Sequence, residues 1–367
     1  AVRTAMALGA AAVRVVSAVP DAQSRVRMAE AFARGDFTTW RYDDHYARQA
    51  TDPGELLADA RSVLCIAVPY GSIATSQTPR LGGRVSNYAW RADYHRGVRS
   101  MLQIVAREID DAAGCAATAI ACDTRPLAER ALAARSGLGW VGKHTNMISP
   151  KLGSFVFLGE IVTTLDLAAD APLRKTCGSC RRCVDACPTR ALRGDYTIDA
   201  TRCISDLTQR ADGIPLEMRS LVGDWVWGCD LCQLVCPPTL AAERNDPRER
   251  AAPQFVDLLS LLRLRSGEFK RRYRATAMGW RGPAILRRNA AVALGNSLDR
   301  AAVPALIESL RSERNAMVRG HVAWALGRLG SPAALAALRR AGESEGDAGV
   351  QNEIAHALQS AQRVAAT

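Results

Sequence analysis

The sequence predicts an α+β protein of several domains: an N-terminal domain mixing strands with helices, a small cysteine-held domain, and an α-helical repeat tail. Three observations carry that expectation. Strand-like and helix-like runs alternate from the start of the chain to about residue 166. Eight of the 11 cysteines fall between Cys177 and Cys236. An Ala-rich pentapeptide recurs every 32 residues in the last quarter of the chain. A length of 367 residues suits two or three domains, and 48% apolar residues supply their cores.

In the N-terminal segment, 1–166, Arg61–Tyr70 is an apolar, β-rich run with the length of a buried strand. Tyr94–Asp110 has helical periodicity, and Ala116–Cys122 is strand-like again. Pro126–Ser136 reads as a short helix, with Pro near its start and Gly137 after its end. Phe155–Thr164 is another strand. The domain is α/β or α+β, and its strand order is not legible. No apolar stretch reaches the roughly 18 residues a membrane span needs. The run Ala5–Pro20 is broken by Arg14, which also spoils it as a secretory signal.

Segment 167–250 carries the cysteines. Clustered thiols in a chain of this size point to metal or catalytic chemistry rather than disulfides. Cys177, Cys180, Cys183 and Cys187, followed by Pro188, form the C-x2-C-x2-C-x3-C-P run of bacterial two-cluster ferredoxins. In that run the fourth cysteine serves a second cluster, so a partner motif is required. Cys229-x2-Cys232-x3-Cys236-Pro237 supplies it, with Cys203 upstream as its first ligand. One [4Fe-4S] cluster is assigned to Cys177, Cys180, Cys183 and Cys236, the other to Cys187, Cys203, Cys229 and Cys232. Zinc also uses C-x2-C pairs, but it does not explain the C-x3-C-P endings or the crossed count of eight. Cys65, Cys115 and Cys122 are expected to be buried structural thiols.

Segment 251–282 reads as a basic helical connector and 283–367 as repeats. Ala291-Val-Ala-Leu-Gly295 returns as Ala323-Trp-Ala-Leu-Gly327 and, more weakly, as Ala355-His-Ala-Leu358. Pro304 and Pro332 stand near helix starts between the copies. A helical-pair repeat of this period is a short solenoid of the HEAT type; an irregular helical bundle is the alternative.

The net charge of +11 is almost all arginine. Nine basic residues lie between Arg263 and Arg288, opposed only by Glu268. With Tyr273 and Trp280 interleaved, the window is expected to bind nucleic acid through Arg271, Arg272, Arg274, Arg281, Arg287 and Arg288. Arg319, recurring at the position of Arg287, would extend that face. The alternative is a solvated helix anchored by core aromatics.

Two nucleotide sites are unsupported. No G-x-G-x-x-G follows a strand. Gly137-Leu-Gly-Trp-Val-Gly142-Lys143-His144 resembles a phosphate loop, but His144 offers no hydroxyl to Mg²⁺ and the segment follows a helix.

Several blocks together resemble epoxyqueuosine reductase. They are Asp93-Tyr-His95, Asp123-Thr-Arg-Pro-Leu-Ala-Glu-Arg130, Gly137–Lys143, Gly153-Ser-Phe-Val-Phe-Leu-Gly-Glu160, Arg202-Cys-Ile-Ser205 and Gly228–Pro237. The resemblance implies a cytoplasmic enzyme of the bacterial cell, dependent on base-off cobalamin and two [4Fe-4S] clusters. Its N-terminal α/β domain would bind cobalamin, with a ferredoxin-like domain and HEAT-like repeats following. It would reduce the epoxide of epoxyqueuosine in the anticodon loop of queuosine-family tRNA to the alkene, the last step of queuosine synthesis. An external electron donor, no membrane and a monomeric state are expected. The resemblance implies that Asp123 is the acid that protonates the departing oxygen. It also implies that Ser86, Asp123, Met147, Leu158, Ser205, Asp230 and Leu231 contact the corrin. Arg130, three to four residues beyond Pro126, is expected to contact substrate, with a solvated helix face as the alternative. No histidine is assigned to cobalt. The pattern departs from the family at Arg125, where smaller residues are usual, and at Ala50, for which Arg48 substitutes.

Physically, Asp123 as an acid near neutral pH calls for a carboxyl whose pKa burial has raised. The structural alternative is that Asp123 or Thr124 caps the helix begun by Pro126. Two rival functions are a corrinoid reductase of another substrate, such as a dehalogenase, and a non-catalytic iron–sulfur electron carrier or RNA-binding protein.

Overall fold

A computed structural model describes residues 1–40, 42–71, 77–244 and 255–365. The end of the cysteine segment, 245–250, and the first residues of the connector, 251–254, lie outside the described residues. The chain divides into two compact units: Ala1–Ala74, Asp93–Thr201 and Asp230–Ala251 form the first, and Thr75–Ala92, Arg202–Cys229 and Ala252–Thr367 the second. This division cuts across the four segments read from the sequence, because the cysteine-rich stretch contributes to both.

The first unit is built on a four-stranded sheet in the order Ala12–Ser17, Ser62–Pro69, Val156–Thr163, Thr118–Ala121. Every pairing is antiparallel, which settles the choice left by the sequence in favour of α+β. The two central strands are apolar enough to be buried on both faces. The helix Tyr94–Ala113 covers one face with Val98, Met101, Leu102, Val105, Ala106 and Ile109, spaced three and four apart. It lies close because Gly159 has no side chain: a Cβ there would sit 2.9 Å from Val98 Cγ1. Gly114, in the left-handed conformation at φ 70°, closes the helix. The other face packs Val63, Cys65, Ala121 and Val162 against Leu132 of the short helix Glu129–Arg135.

The second unit has a three-stranded sheet, Trp225–Trp227, Gly82–Val85, Phe255–Asp257, and the helical repeats. Those helices are Pro283–Ser297, Val303–Ser312, Ala316–Leu329, Pro332–Ser344 and Ala348–Ala365. Pro283, Pro304 and Pro332 occupy first-turn positions, where a missing N–H costs nothing. The recurring pentapeptide falls on the first, third and fifth helices, which stack side by side. Its glycine is the point of closest approach. A Cβ on Gly295 would lie 2.8 Å from Trp324 and one on Gly327 would lie 2.6 Å from Ala357 Cβ.

Candidate active site

Asp123 follows the Thr118–Ala121 strand by two residues and has φ 55°. A non-glycine residue holds that left-handed conformation only when its surroundings determine it. The helix beyond it starts at Glu129 with Ala128 as N-cap, six residues after Asp123, so neither Asp123 nor Thr124 is a cap. What holds Asp123 is a set of side chains. Tyr94 donates its hydroxyl to Asp123 Oδ2 over 2.7 Å, and His95 Nε2 lies 3.1 Å from the same oxygen. His95 Nδ1 stands 2.6 Å from Asp93 Oδ1. Asp93 in turn caps the helix by accepting the His95 N–H. The Tyr94 ring is stacked on Phe157 at 4.0 Å, which sets its direction. The Asp123 N–H is accepted by Glu129 Oε1.

These contacts reverse the expectation that burial raises the Asp123 pKa. Its side chain is 61% exposed. The His95 hydrogen bond, aided by Tyr94 and the Arg130 charge, holds its pKa below the ordinary carboxylate value against partial desolvation. His95 is shifted the other way, upward, by its hydrogen bond to Asp123 and then by Asp93. The proton of the pair therefore rests on the imidazole, which bridges two carboxylates. Arg130, on the exposed side of the following helix, donates to Thr145 O over 2.9 Å.

In the same unit, Cys177 and Cys180 line an open recess of about 710 Å³ together with Gly178, Arg181, Asp185 and Pro237. Burial pushes the Cys183 thiol up to about 11, and Cys177 and Cys236 face it. Cys236 is likewise raised by burial, with Cys177 and Cys180 facing it. The four thiols assigned to one cluster are thus mutual neighbours, held by local turns such as Cys180 N–H to Cys177 O at 3.1 Å. Lys143, the lysine of the false phosphate loop, donates to Gly178 O inside this turn. Among the described residues, no three His, Cys, Asp or Glu side chains are spaced to hold a single metal ion. Of the other four cysteines, Cys187 and Cys232 lie in the first unit and Cys203 and Cys229 in the second. Cys65 and Cys122 are buried as expected; Cys115 is exposed, beyond the end of the Tyr94–Ala113 helix.

Met147 and Leu158 meet in one apolar cluster with Ala67 and Leu138. Asp230 is 2% exposed and precedes Leu231, the first residue of a one-turn helix. Ser86 and Ser205 belong to the second unit. Ser86 is buried against Gly228, where a Cβ would lie 2.5 Å from its own. Ser205 accepts from Gln209 Nε2 over 3.1 Å. Arg48 pairs with Glu55 over 3.6 Å.

The basic window divides. Arg271, Arg272 and Arg274 are exposed, on and just after the helix Ser266–Arg272. Arg272 pairs with Glu268 over 2.7 Å. Arg281 lies 3.9 Å above the exposed Trp280 ring and donates to Gln209 O. Two expected contacts are corrected. Arg288 is fully buried, donating to the carbonyls of Leu207, Arg210 and Asp212. Arg287 is ion-paired with Glu313 over 2.6 Å, and Arg319 pairs with Glu345 over 2.8 Å in the next repeat. Their recurrence is a repeat-to-repeat pin, not an extended nucleic-acid face. Tyr273 is buried, as a core anchor would be.

A family model described as epoxyqueuosine reductase QueG, DUF1730, matches residues 51–124. Models for a 4Fe-4S double cluster binding domain and for HEAT repeats match 176–239 and 281–359. An epoxyqueuosine reductase of Lactococcus garvieae is 40% identical over 256 residues, 68% of this chain and 73% of the relative. The chain belongs to the epoxyqueuosine reductase family. The Xanthomonas campestris member is 38% identical over 296 residues, 78% of this chain and 83% of its own. Among solved structures, an epoxyqueuosine reductase bound to an epoxyqueuosine-modified tRNA stem loop superposes with TM-score 0.90 at 30% identity. It covers 98% of this chain and 97% of that one. The Bacillus subtilis epoxyqueuosine reductase, with its catalytic aspartate loop swung out of the active site, matches with TM-score 0.89 at 30% identity over the same shares.

Within this family site, the sequence marks Asp123 but not the roles of Asp93, Tyr94, His95, Glu129 and Glu160. All five stand inside blocks that carry the resemblance. What they lack is a periodicity or spacing that tells a site residue from a cap or a core residue.

Proposed function

We propose that the protein reduces epoxyqueuosine in tRNA to queuosine: epoxide, two electrons and two protons give alkene and water. The observation that carries this is the Asp123–His95–Tyr94 set, in the same unit as four neighbouring thiols suited to a [4Fe-4S] cluster. The catalytic aspartate loop of the Bacillus subtilis relative supports Asp123 in that role.

The donor set fits its cofactors. Four thiols with no disulfide partner meet the chemistry of Cys177, Cys180, Cys183 and Cys236 as one cluster. Cys187 and Cys232 are the thiols the first unit would offer to a second cluster. Within the first unit, cobalamin is proposed to lie against Met147 and Leu158, with Asp230 and Leu231 as further contacts. Two orphaned groups on the Met147 hairpin fit an amide-edged ring: Trp140 Nε1 and His144 Nε2 are buried with no partner among the described residues. Burial lowers His144 to about 4, and its Nδ1 accepts from Asn146 N–H, so a neutral imidazole carries its hydrogen on Nε2. When bound, the corrinoid supplies the low-valent centre that drives opening of the carbon–oxygen bond.

The chain's own part is the proton. As negative charge grows on the epoxide oxygen, the His95 Nε2 proton passes to Asp123 Oδ2 and from Asp123 to that oxygen. Asp93 compensates the imidazolium until transfer, and Tyr94 fixes the carboxyl. The exposed cations Arg271 and Arg274, with Trp280 and Arg281, are placed against tRNA phosphate and bases, and Arg130 against the substrate. The test is mass analysis of nucleosides from epoxyqueuosine-containing tRNA after incubation with the reduced, cluster-loaded protein and cobalamin. Appearance of queuosine is expected; unchanged epoxyqueuosine overturns the proposal.

A further inference from the structure

Beneath Asp123 lies a second pair of carboxyls that this chemistry does not use. Glu160 is wholly buried on the Val156–Thr163 strand, paired across the sheet with Cys65 on one side and Ala121 on the other. Among the described residues, no donor reaches either of its carboxyl oxygens. A carboxylate so placed is strongly disfavoured, so Glu160 keeps its proton. The polar neighbour that can accept that proton is the carboxyl of Glu129, on the helix covering this face. Two carboxyls form a hydrogen bond only when one carries a proton. Glu129 then uses Oε1 to accept the N–H of Asp123, the residue whose backbone is held at φ 55°.

The other titratable groups facing the pair come from each element packed on it. They are Cys65 on the Ser62–Pro69 strand, Cys122 and Asp123 after Thr118–Ala121, Tyr46 on Asp44–Thr51 and Arg130 on the covering helix, while Asp93 acts on Cys122 and Arg135 on Cys65. Burial pushes the Cys65 and Cys122 thiols up, so both stay neutral. No lysine is among these groups, and Arg130 is the cation acting on Glu129.

We propose that Glu129 is the positioning residue of the Asp123 turn, and that Glu160, supplying the proton shared between the two carboxyls, keeps Glu129 aimed at the Asp123 amide. The chain is then a relay of three hydrogen bonds: Glu160 O–H to Glu129, Asp123 N–H to Glu129, and Tyr94 O–H to the Asp123 side chain. Loss of the Glu129 acceptor frees the turn and displaces Oδ2 from Tyr94 and His95. The inference rests on the reading of Asp123 as the acid.

The experiment compares wild type, Glu129→Ala, Glu129→Gln and Glu160→Gln, all full-length and cluster-loaded. Three quantities are measured: hydrogen exchange of the peptide spanning Asp123, the infrared band of a protonated buried carboxyl, and kcat and KM on epoxyqueuosine-containing tRNA. Glu129→Ala is expected to speed exchange at Asp123 and to lower kcat about 10²-fold with little change in KM, the scale of misplaced catalytic geometry. Glu129→Gln keeps an acceptor oxygen and is expected to restore most of both. Glu160→Gln is expected to remove the protonated-carboxyl band present in wild type. Unchanged exchange in Glu129→Ala, a Gln variant as impaired as the Ala variant, or no band lost in Glu160→Gln overturns the proposal. Exchange and infrared spectra need no turnover. If wild type leaves epoxyqueuosine untouched while those two readouts come out as expected, the functional reading fails and the relay stands.

Discussion

His95 Nε2 and Asp123 Oδ2 are 3.1 Å apart, and they shift each other's pKa in opposite directions. In the proposed reaction the residue with the exposed carboxyl is the conduit of the proton, and the imidazole behind it is the store. Asp123→Asn should keep the fold and bound iron while lowering turnover by about 10²- to 10⁴-fold, the usual worth of a positioned acid. Nucleoside mass analysis with an iron assay on the same preparation checks this. Loss of iron together with activity would make Asp123 structural.

The pH dependence follows from the sign of the His95 shift. Its pKa in the folded protein lies above 6.5, so the stored proton is present below that raised value and lost as pH rises through it. Turnover should fall on the alkaline side, beginning above 6.5. Asp123, held below 3.8, stays a carboxylate across this range and adds no limb of its own. His95→Gln should abolish the alkaline limb and lower the plateau. A pH–rate profile in which the limb survives in His95→Gln would place the titrating group elsewhere.

Arg288 should matter to stability. Its guanidinium meets the buried carbonyl of Leu207, the part-buried carbonyls of Arg210 and Asp212, and Asn289 Oδ1. Each acceptor left unmet in Arg288→Ala costs about 1–3 kcal/mol, so a total loss of roughly 3 kcal/mol or more is expected in thermal unfolding.

Arg271 and Arg274 are exposed, and neither has an ion-pair partner among the described residues. Reversing both to Glu should weaken tRNA binding and flatten its dependence on salt by about 0.7–0.9 for each phosphate no longer neutralised. Tm should stay near that of wild type. Filter binding at several salt concentrations reads this directly. Unchanged binding would place the RNA on another face.

Arg319 offers the opposite control. Paired with Glu345 and donating to the carbonyls of Glu313 and Arg314, it should lower Tm when changed to Ala and leave the salt slope of tRNA binding intact. A changed slope would restore Arg319 to the nucleic-acid face.

Much is legible in the linear order. The crossed cysteine pattern and the 32-residue repeat are spacing signals, and spacing is what a sequence displays. The strands Ser62–Pro69 and Val156–Thr163 stand out as apolar runs within a residue or two at each end. The helix after Asp123 begins later than its sequence suggests, because Pro126 imitates a first-turn proline while the turn in fact extends to Ala128.

The sequence by itself determined the spacing signals: eight thiols at ferredoxin spacing, an aspartate after a strand, and arginines gathered in one window. Tertiary structure decided their states. It placed His95 beside Asp123 from a helix 28 residues earlier, lowering the pKa that burial alone would raise. It buried Arg288 and paired Arg287, leaving Arg271 and Arg274 to the solvent. It also set Glu160 under Glu129 without a donor. Protonation and exposure depend on neighbours brought together by folding, and no local pattern encodes those neighbours.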